Sequence, residues 1–504
     1  MASERNDEIL PYFFYIITMK KKKARRIFPA DLTEFRNDGI SYKSDTYYSN
    51  IADKIYWSIV KLTHEEDEDI ARMCIRTALY FEDIVSHIGL WHSFRQNHLK
   101  MFGKLMPCEI GPDDRLEEDL SRGSVQFVLW LDLSDTYDLS VKNPNSEAML
   151  KFSEVAFDIL QQEFPKAEPN NELKSRLFST SVFDDFHDIR KNLTWISFHS
   201  YLSIWHKVQS NAEKIYDTIF NVIDDEDAAE YAAATLSTFK YGCGPLAMKV
   251  SDVYADMLEF NGMAAEAKDV REIQYYDLNT WKLLQVKGSI LSLEAPDGTK
   301  VFADTKTFPT ISLEKLCSLP GIAAAFVKFR DTYEMIGMCT GASQKHLDDA
   351  IEDFKSKEQR KAIVAKFLEK NNSQRVHTFG TFESLAHWLK ENFNAQLKKD
   401  SADMFYDDTD FTLYVPDSMD FEILAGYASA IRTESSDFFV DEYNEEAIMM
   451  FKDYDAVKDE CLTYMVTNKM LPSARYKDSQ EKERGLRVVQ DNQEFLRRFY
   501  RRSL

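Results

Sequence analysis

Residues 80–98 read YFEDIVSHIGLWHSFRQNH, and the way this stretch folds decides the first half of the chain. Phe81, Ile84, Ile88 and Trp91 recur at spacings of three and four, which places them on one apolar stripe of an α-helix. The spacing predicts a single helix over 67–98. The same stretch carries two carboxylates and three histidines among large aromatics. Asp83 and His87 stand four apart on the flank of the stripe. There a carboxylate and an imidazole can pair, or can offer two ligands to one metal ion.

Working outward, helical periodicity dominates from about residue 45 to 260. Residues 48–62 form a helix, separated from 67–98 by the acidic run HEEDED at 64–69. Residues 103–123, broken by Pro107, Gly111 and Pro112, read as a loop. The run at 124–133, with VQFVLWLDL inside it, could be a buried helix or a strand, and periodicity alone leaves the two open. Residues 146–164 are helical and end before Pro165. Residues 193–223 read as a long aromatic-rich helix. His199 and His206 are seven apart on it and share a face with Trp195, Phe198, Leu202 and Trp205. An imidazole buried without a partner costs roughly 1–3 kcal/mol, so each is expected to be a satisfied interior group. The sharper alternative brings the two helices together, with Asp83, His87, His199 and His206 forming one divalent-metal or acid–base cluster.

Beyond residue 270 the texture changes. Short alternating runs at 280–285, 289–294, 300–304, 324–329 and 333–338 are bounded by turn signals, the clearest being Ala295-Pro296-Asp297-Gly298. Five short strands in so few residues suggest a small antiparallel, barrel-like module. The last third mixes helical patterns at 347–370, 382–393 and 421–432 with a strand-like run at 410–415. The expected fold class is therefore α+β. It comprises a flexible basic arm (1–26), a helical domain (27–270), a β module (271–342) and an acidic mixed α/β domain with a basic tail (343–504).

Charge and cysteine usage limit the function. The net charge of −22 over 504 residues disfavours general binding to nucleic acid or to anionic membranes. Residues 403–460 hold 17 acidic against 3 basic side chains, whereas 475–504 hold 9 basic against 5 acidic, so the tail is expected to dock on its own acidic segment. Six scattered cysteines without a C-x-x-C pair fit a reducing compartment. The apolar run at 10–17 is too short to cross a bilayer and precedes its basic cluster, the reverse of a secretory signal. Met19 is an alternative start. Two basic clusters are candidate contacts for nucleic acid or an acidic partner. The first is Lys20, Lys21, Lys22, Lys23, Arg25 and Arg26, without an interleaved ring. The second is Arg497, Arg498, Arg501 and Arg502, interleaved with Phe499 and Tyr500.

No phosphate loop, dinucleotide fingerprint, nucleophile elbow, zinc-protease motif or kinase set is found, and no cofactor is expected. Tyr80–Ser86 (YFEDIVS), Gly89-Leu90-Trp91 and Val128-Leu129-Trp130 are similar to segments of an uncharacterised Bacteroidota family, a domain of unknown function. That resemblance implies a cytoplasmic bacterial protein and supplies no activity. The expectation is a binding or adaptor protein that recognises a protein partner through the β module and the acidic C-terminal surface. A metal-assisted hydrolase built on the Asp/His cluster, and a nucleic-acid- or ribosome-associated factor using the basic arms, are the alternatives.

Overall fold

The computed structural model describes residues 26–36, 39–63, 68–108, 119–135, 141–223, 225–308, 318–397, 409–434, 436–441, 445–452, 456–472 and 491–501. The described residues fall into two compact units, 26–135 with 144–347 in the first, and 348–501 with 141–143 in the second. The change of texture near residue 270 lies inside the first unit, because helix α9 below packs directly on strands of the β module.

The first unit opens with α1 (Asp45–Thr63), α2 (Glu68–Ser86), α3 (Leu90–Phe102), α4 (Arg122–Ser134) and α5 (Glu147–Glu163). It continues with α6 (Asn171–Phe178), α7 (Phe186–Thr194), α8 (Trp205–Ile223), α9 (Glu226–Lys240), α10 (Val250–Phe260) and α11 (Ala264–Arg271). Helix α2 packs between α1 and α4, and α5 covers α1 and α4. Helix α4 answers the open question at 124–133. It is buried on nearly every side from Gly123 to Asp132, which removes the amphipathic signal that would have marked it as a helix.

Two long helices expected from the sequence are each broken. Helix α2 stops at Ser86, and a corner at His87-Ile88-Gly89 precedes α3. Both His87 (φ 51°) and Gly89 (φ 91°) adopt left-handed backbone there. A Cβ on Gly89 would fall 2.6 Å from the Phe260 ring, so the corner requires glycine for two reasons. The second break follows α7, which runs on into a π-helical turn over Trp195–His199 before the chain leaves the helix. The serines explain it. Ser200 Oγ donates to Ile196 O and Ser203 Oγ donates to Ser197 O, while the Ser200 amide bonds back five residues to Trp195 O.

The β module follows as β1 (Gln274–Lys287), β2 (Ile290–Glu294), β3 (Lys300–Asp304), β4 (Gly321–Phe329) and β5 (Thr332–Ala342). Its strand order is β1-β2-β3-β5-β4, with β4 returning to β1. All ladders are antiparallel except β3–β5, which meet in parallel at one pair, Ala303 with Tyr333. The barrel is thus only loosely joined along that seam. Strand β1 is longer than its alternation suggested. Bulges between Tyr276 and Asn279, and between Leu283 and Gln285, shift its register and hide the period of two. The interior is wholly apolar around Trp281, Leu291, Leu293, Val301, Ile322 and Phe326. The Trp281 indole N–H is satisfied by Ala324 O at 2.8 Å.

In the second unit, β6 (Val376–Phe379), β7 (Phe411–Tyr414) and β8 (Glu422–Ala425) form an antiparallel sheet in that order. Helices α12 (Gln344–Lys370) and α13 (Phe382–Phe393) contribute Val364, Phe367, Leu385 and Leu389 to the core on that sheet. The helix expected over 421–432 is instead strand β8 followed, after left-handed Gly426, by a short 3-10 turn at Ala428–Ala430. Pairing with β7 overrides local helical preference there. Helices α14 (Glu445–Lys452) and α15 (Asp459–Thr467) receive α16 (Gln493–Arg501) at the end of the chain.

Candidate functional site

The chemistry-bearing residues of the helical half form two buried polar clusters and a capped corner. The first cluster centres on Arg36, which leaves the short 3-10 turn Pro29–Phe35. Its guanidinium reaches Glu82 Oε2 at 2.6 Å and Asp45 Oδ1 at 2.5 Å. All three side chains are almost fully buried. Glu82 also accepts from Asn170 Nδ2 (2.9 Å), and Asp45 accepts from the Tyr42 amide (2.8 Å). Burial opposes the charge on Arg36, but Glu82 and Asp45 outweigh it and hold the guanidinium charged.

The second cluster ties α2 to α4 and to the start of α8. Arg76 Nε lies 3.0 Å from Asp132 Oδ1, and Nη2 lies 2.9 Å from Asp135 Oδ2. Arg72 reaches the same Asp132 oxygen at 3.1 Å. Asp135 caps α8 by accepting from the Trp205 amide at 2.9 Å, and it takes a short hydrogen bond from His206 Nδ1. Burial works to raise the Asp135 carboxyl, yet the His206 bond and the Arg76 charge hold it well below the usual carboxylate range. Nearby Glu34 has the opposite balance. Burial pushes its carboxyl up to about 7, against the pull of Arg72 and Arg76.

Asp83 builds the corner between α2 and α3. It accepts from the amides of Gly89 (2.8 Å), Leu90 (3.2 Å) and Trp91 (2.6 Å), the orphan donors at the start of α3. The Tyr201 hydroxyl adds a fourth bond at 2.6 Å. Burial raises the Asp83 carboxyl to about 6 in spite of these bonds. A cavity of about 20 Å³ lies between this corner and the Arg36 cluster, lined by Arg36, Glu82, Asp83, Trp195 and Tyr201 among others. It has room for roughly one water molecule.

The four residues proposed as a metal or acid–base cluster therefore have separate partners. Asp83 caps α3. His87 sits exposed in the corner, its ring centroid 6.4 Å from that of Phe260. His199 Nδ1–H donates to the Glu34 carbonyl at 3.0 Å, and His206 bonds Asp135. The broken helices put His199 on the π turn and His206 on α8, so the shared face of a 193–223 helix does not form. Among the described residues, no group of three or more His, Cys, Asp or Glu side chains converges on a position for a metal ion.

The basic candidates are also placed. Lys20, Lys21, Lys22, Lys23, Arg25 and Arg502 lie outside the described residues. Arg26 stands 3.5 Å from Asp53. Arg497 and Arg501 are buried in the second unit. Arg497 bonds Thr463 Oγ1 (3.1 Å) and Glu494 of its own helix, and Arg501 donates to the Met450 carbonyl. Arg498 pairs with Glu494 at 2.8 Å. The tail helix does dock on its own chain, but burial of Phe495, Leu496, Phe499 and Tyr500 accompanies these bonds, and Asp459, at 3.7 Å from Arg501, is one acidic-segment carboxylate that faces it.

Sequence reasoning overlooked Arg36, Arg76, Asp132 and Asp135. One signal was present: Arg76 interrupts the apolar positions Met73 and Tyr80 on the inner face of α2, where a cation requires buried partners.

Residues 26–277 match the family described as Protein of unknown function (DUF3843), half of the chain. The chain belongs to this family. The match takes in both polar clusters and the corner and ends at the start of β1. The resemblance carried by YFEDIVS and Gly89-Leu90-Trp91 falls within it. No curated protein and no solved structure matches the chain.

Proposed function

We propose that this chain is a cytoplasmic bacterial binding or adaptor protein, with a helical scaffold that presents the β module as a recognition element. The acidic second unit serves as a second element, suited to a basic protein surface. One observation carries the reading. The carboxylates and guanidinia at the heart of the helical region are mutually paired, and the cavity beside Arg36 and Glu82 is of water size, while the β module exposes Leu284, Ile290 and Phe302 on one sheet face. Paired charges inside a scaffold favour one arrangement of helices, and an exposed apolar face favours a ligand. The five described cysteines form no disulfide, which agrees with a reducing compartment, and no described helix is long and apolar enough to cross a membrane.

Capture from the native host with the full chain tests the reading, with proteomics and nucleic-acid staining of the eluate. Wild type is compared with Phe302→Asp. Loss of a specific bound species on substitution is the expected outcome. An identical bound set for both proteins would count against the β module as the recognition element.

A further inference from the structure

The short 3-10 turn Pro29–Phe35 lies on the helical region as a strap, held by elements distant in the chain. Trp195 Nε1–H donates to the Phe35 carbonyl at 3.0 Å, and His199 Nδ1–H donates to the Glu34 carbonyl at 3.0 Å. The Phe35 ring packs on Trp205 with centroids 5.1 Å apart, and the Arg76 guanidinium lies 5.5 Å from the centre of the Trp205 ring. On either side of the strap, the Ile27 amide donates to Asp53 of α1, and Arg36 is fixed by Asp45 and Glu82.

Glu34 is left over when the charges beside the strap are paired. The groups that act on its carboxyl are Arg72 and Arg76 of α2, Asp132 of α4 and Asp31 of its own turn. Asp135 and His206 complete the cluster through Arg76. Both guanidinia are already engaged, Arg76 with Asp132 and Asp135, and Arg72 with Asp132 and Asp69. Among the described residues, no hydrogen bond reaches the Glu34 carboxyl. A partly buried carboxyl without a donor lowers its energy by keeping its proton. Two atoms of the cluster are buried without a hydrogen bond, the donor Arg76 Nη1 and the acceptor Asp132 Oδ2. Each protonation state of Glu34 suits one of them, because a carboxylate accepts from a guanidinium and a carboxylic acid donates to a carboxylate. Burial outweighs both guanidinia and pushes the Glu34 carboxyl up to about 7.

We infer that Glu34 is a proton-operated latch: the strap is held most firmly while Glu34 is neutral, and a rise through neutral pH eases it away from the Arg76 cluster. The sign follows from linkage. A lifted strap returns Glu34 to water, where an ordinary Glu carboxyl loses its proton near 4.5. The docked strap keeps that proton to higher pH, so rising pH favours the lifted form until Glu34 is ionised in both. The proton released goes to bulk water. With a docked midpoint of about 7, the lifted fraction rises about tenfold between about pH 6 and about pH 8.

The test uses the full chain. Hydrogen–deuterium exchange of peptides covering residues 27–36 is followed by mass spectrometry at about pH 6, 7 and 8, with each rate corrected for intrinsic exchange. Wild type is expected to lose strap protection about tenfold over this range, and peptides from residues 290–304 are expected not to follow it. Glu34→Gln cannot ionise, and its strap should keep the wild-type value of the lowest pH throughout. In wild type labelled with carboxyl-13C glutamate, one carbon resonance should titrate near neutral pH and be missing from Glu34→Gln. A wild-type strap whose corrected protection is the same at all three pH values overturns the inference. So does a Glu34→Gln strap that loosens as wild type does. Wild-type spectra in which every glutamate carboxyl is ionised by about pH 6 overturn it without recourse to a variant.

Discussion

The helical region and the barrel of the first unit solve the problem of the interior in opposite ways. The helical region encloses Arg36, Arg76, Asp45, Glu82, Asp132 and Asp135, each matched to an opposite charge. The barrel encloses only apolar side chains, with one indole N–H satisfied by backbone. An apolar interior tolerates small shifts of packing, whereas a buried ion pair is favourable in one geometry only. The comparison teaches where function can reside. Polar groups that hold one another across helices are occupied, and the barrel leaves Phe302 and its lysines outside.

Removing a paired buried cation should break the first half of the comparison most severely. Arg76→Met removes the guanidinium that Asp132 and Asp135 share, leaving them only Arg72 and His206, and should cost about 3–5 kcal/mol in denaturant unfolding. A loss below about 1 kcal/mol would mean that the cluster is hydrated and its charges not interdependent. Asp83→Ala strips the acceptor from three amides and from Tyr201, and should cost about 2–3 kcal/mol. Asp83→Asn should recover part of this, since an amide oxygen can still accept.

The pH dependence sharpens the same half. Burial pushes the His98 imidazole down to about 3, while its Nε2 accepts from the Met106 amide at 3.2 Å. The unfolded chain protonates this histidine below about 6.5, whereas the folded chain resists until about 3, so His98 removes stability as pH falls. Glu34 and Asp83 act in the opposite sense, because their raised carboxyls take up protons in the folded state first. Between about pH 7 and about pH 4.5, His98→Gln should lose about 2 kcal/mol less stability than wild type. Parallel pH curves for the two proteins would show that His98 is not held neutral.

The smallest effect belongs to the barrel. Phe302→Ala removes a half-exposed ring, and should change unfolding free energy by less than about 0.5 kcal/mol. A larger loss would place Phe302 in the folding core and blur the contrast between a scaffold that holds itself together and a face left for a ligand.

Much of this division was legible in sequence, and the rest failed for local physical reasons. The alternation in 289–294 and 300–304 gave β2 and β3 almost residue for residue, because each strand buries one side only. The stripe through Phe81, Ile88 and Trp91 does face the core, but it crosses a corner. Gly89 was the visible signal for that corner, and Ser197, Ser200 and Ser203 were the signal for the break before α8. Both were outvoted by a long apolar period that continues across the interruption. The Asp83–His87 pairing assumed an unbroken helix, so it was lost with the helix.

By itself, the sequence determined which segments bury an apolar side, that strands replace helices over about 271–342, and that no familiar catalytic motif is present. Those properties follow from the order of polar and apolar residues along a few turns. Only the tertiary structure decided that Arg76 meets Asp132 and Asp135, that the histidines part company, and that Phe302 and Tyr333 face each other across a seam. Such pairs join residues far apart in the chain, and their selection depends on the desolvation that occurs once the segments have packed.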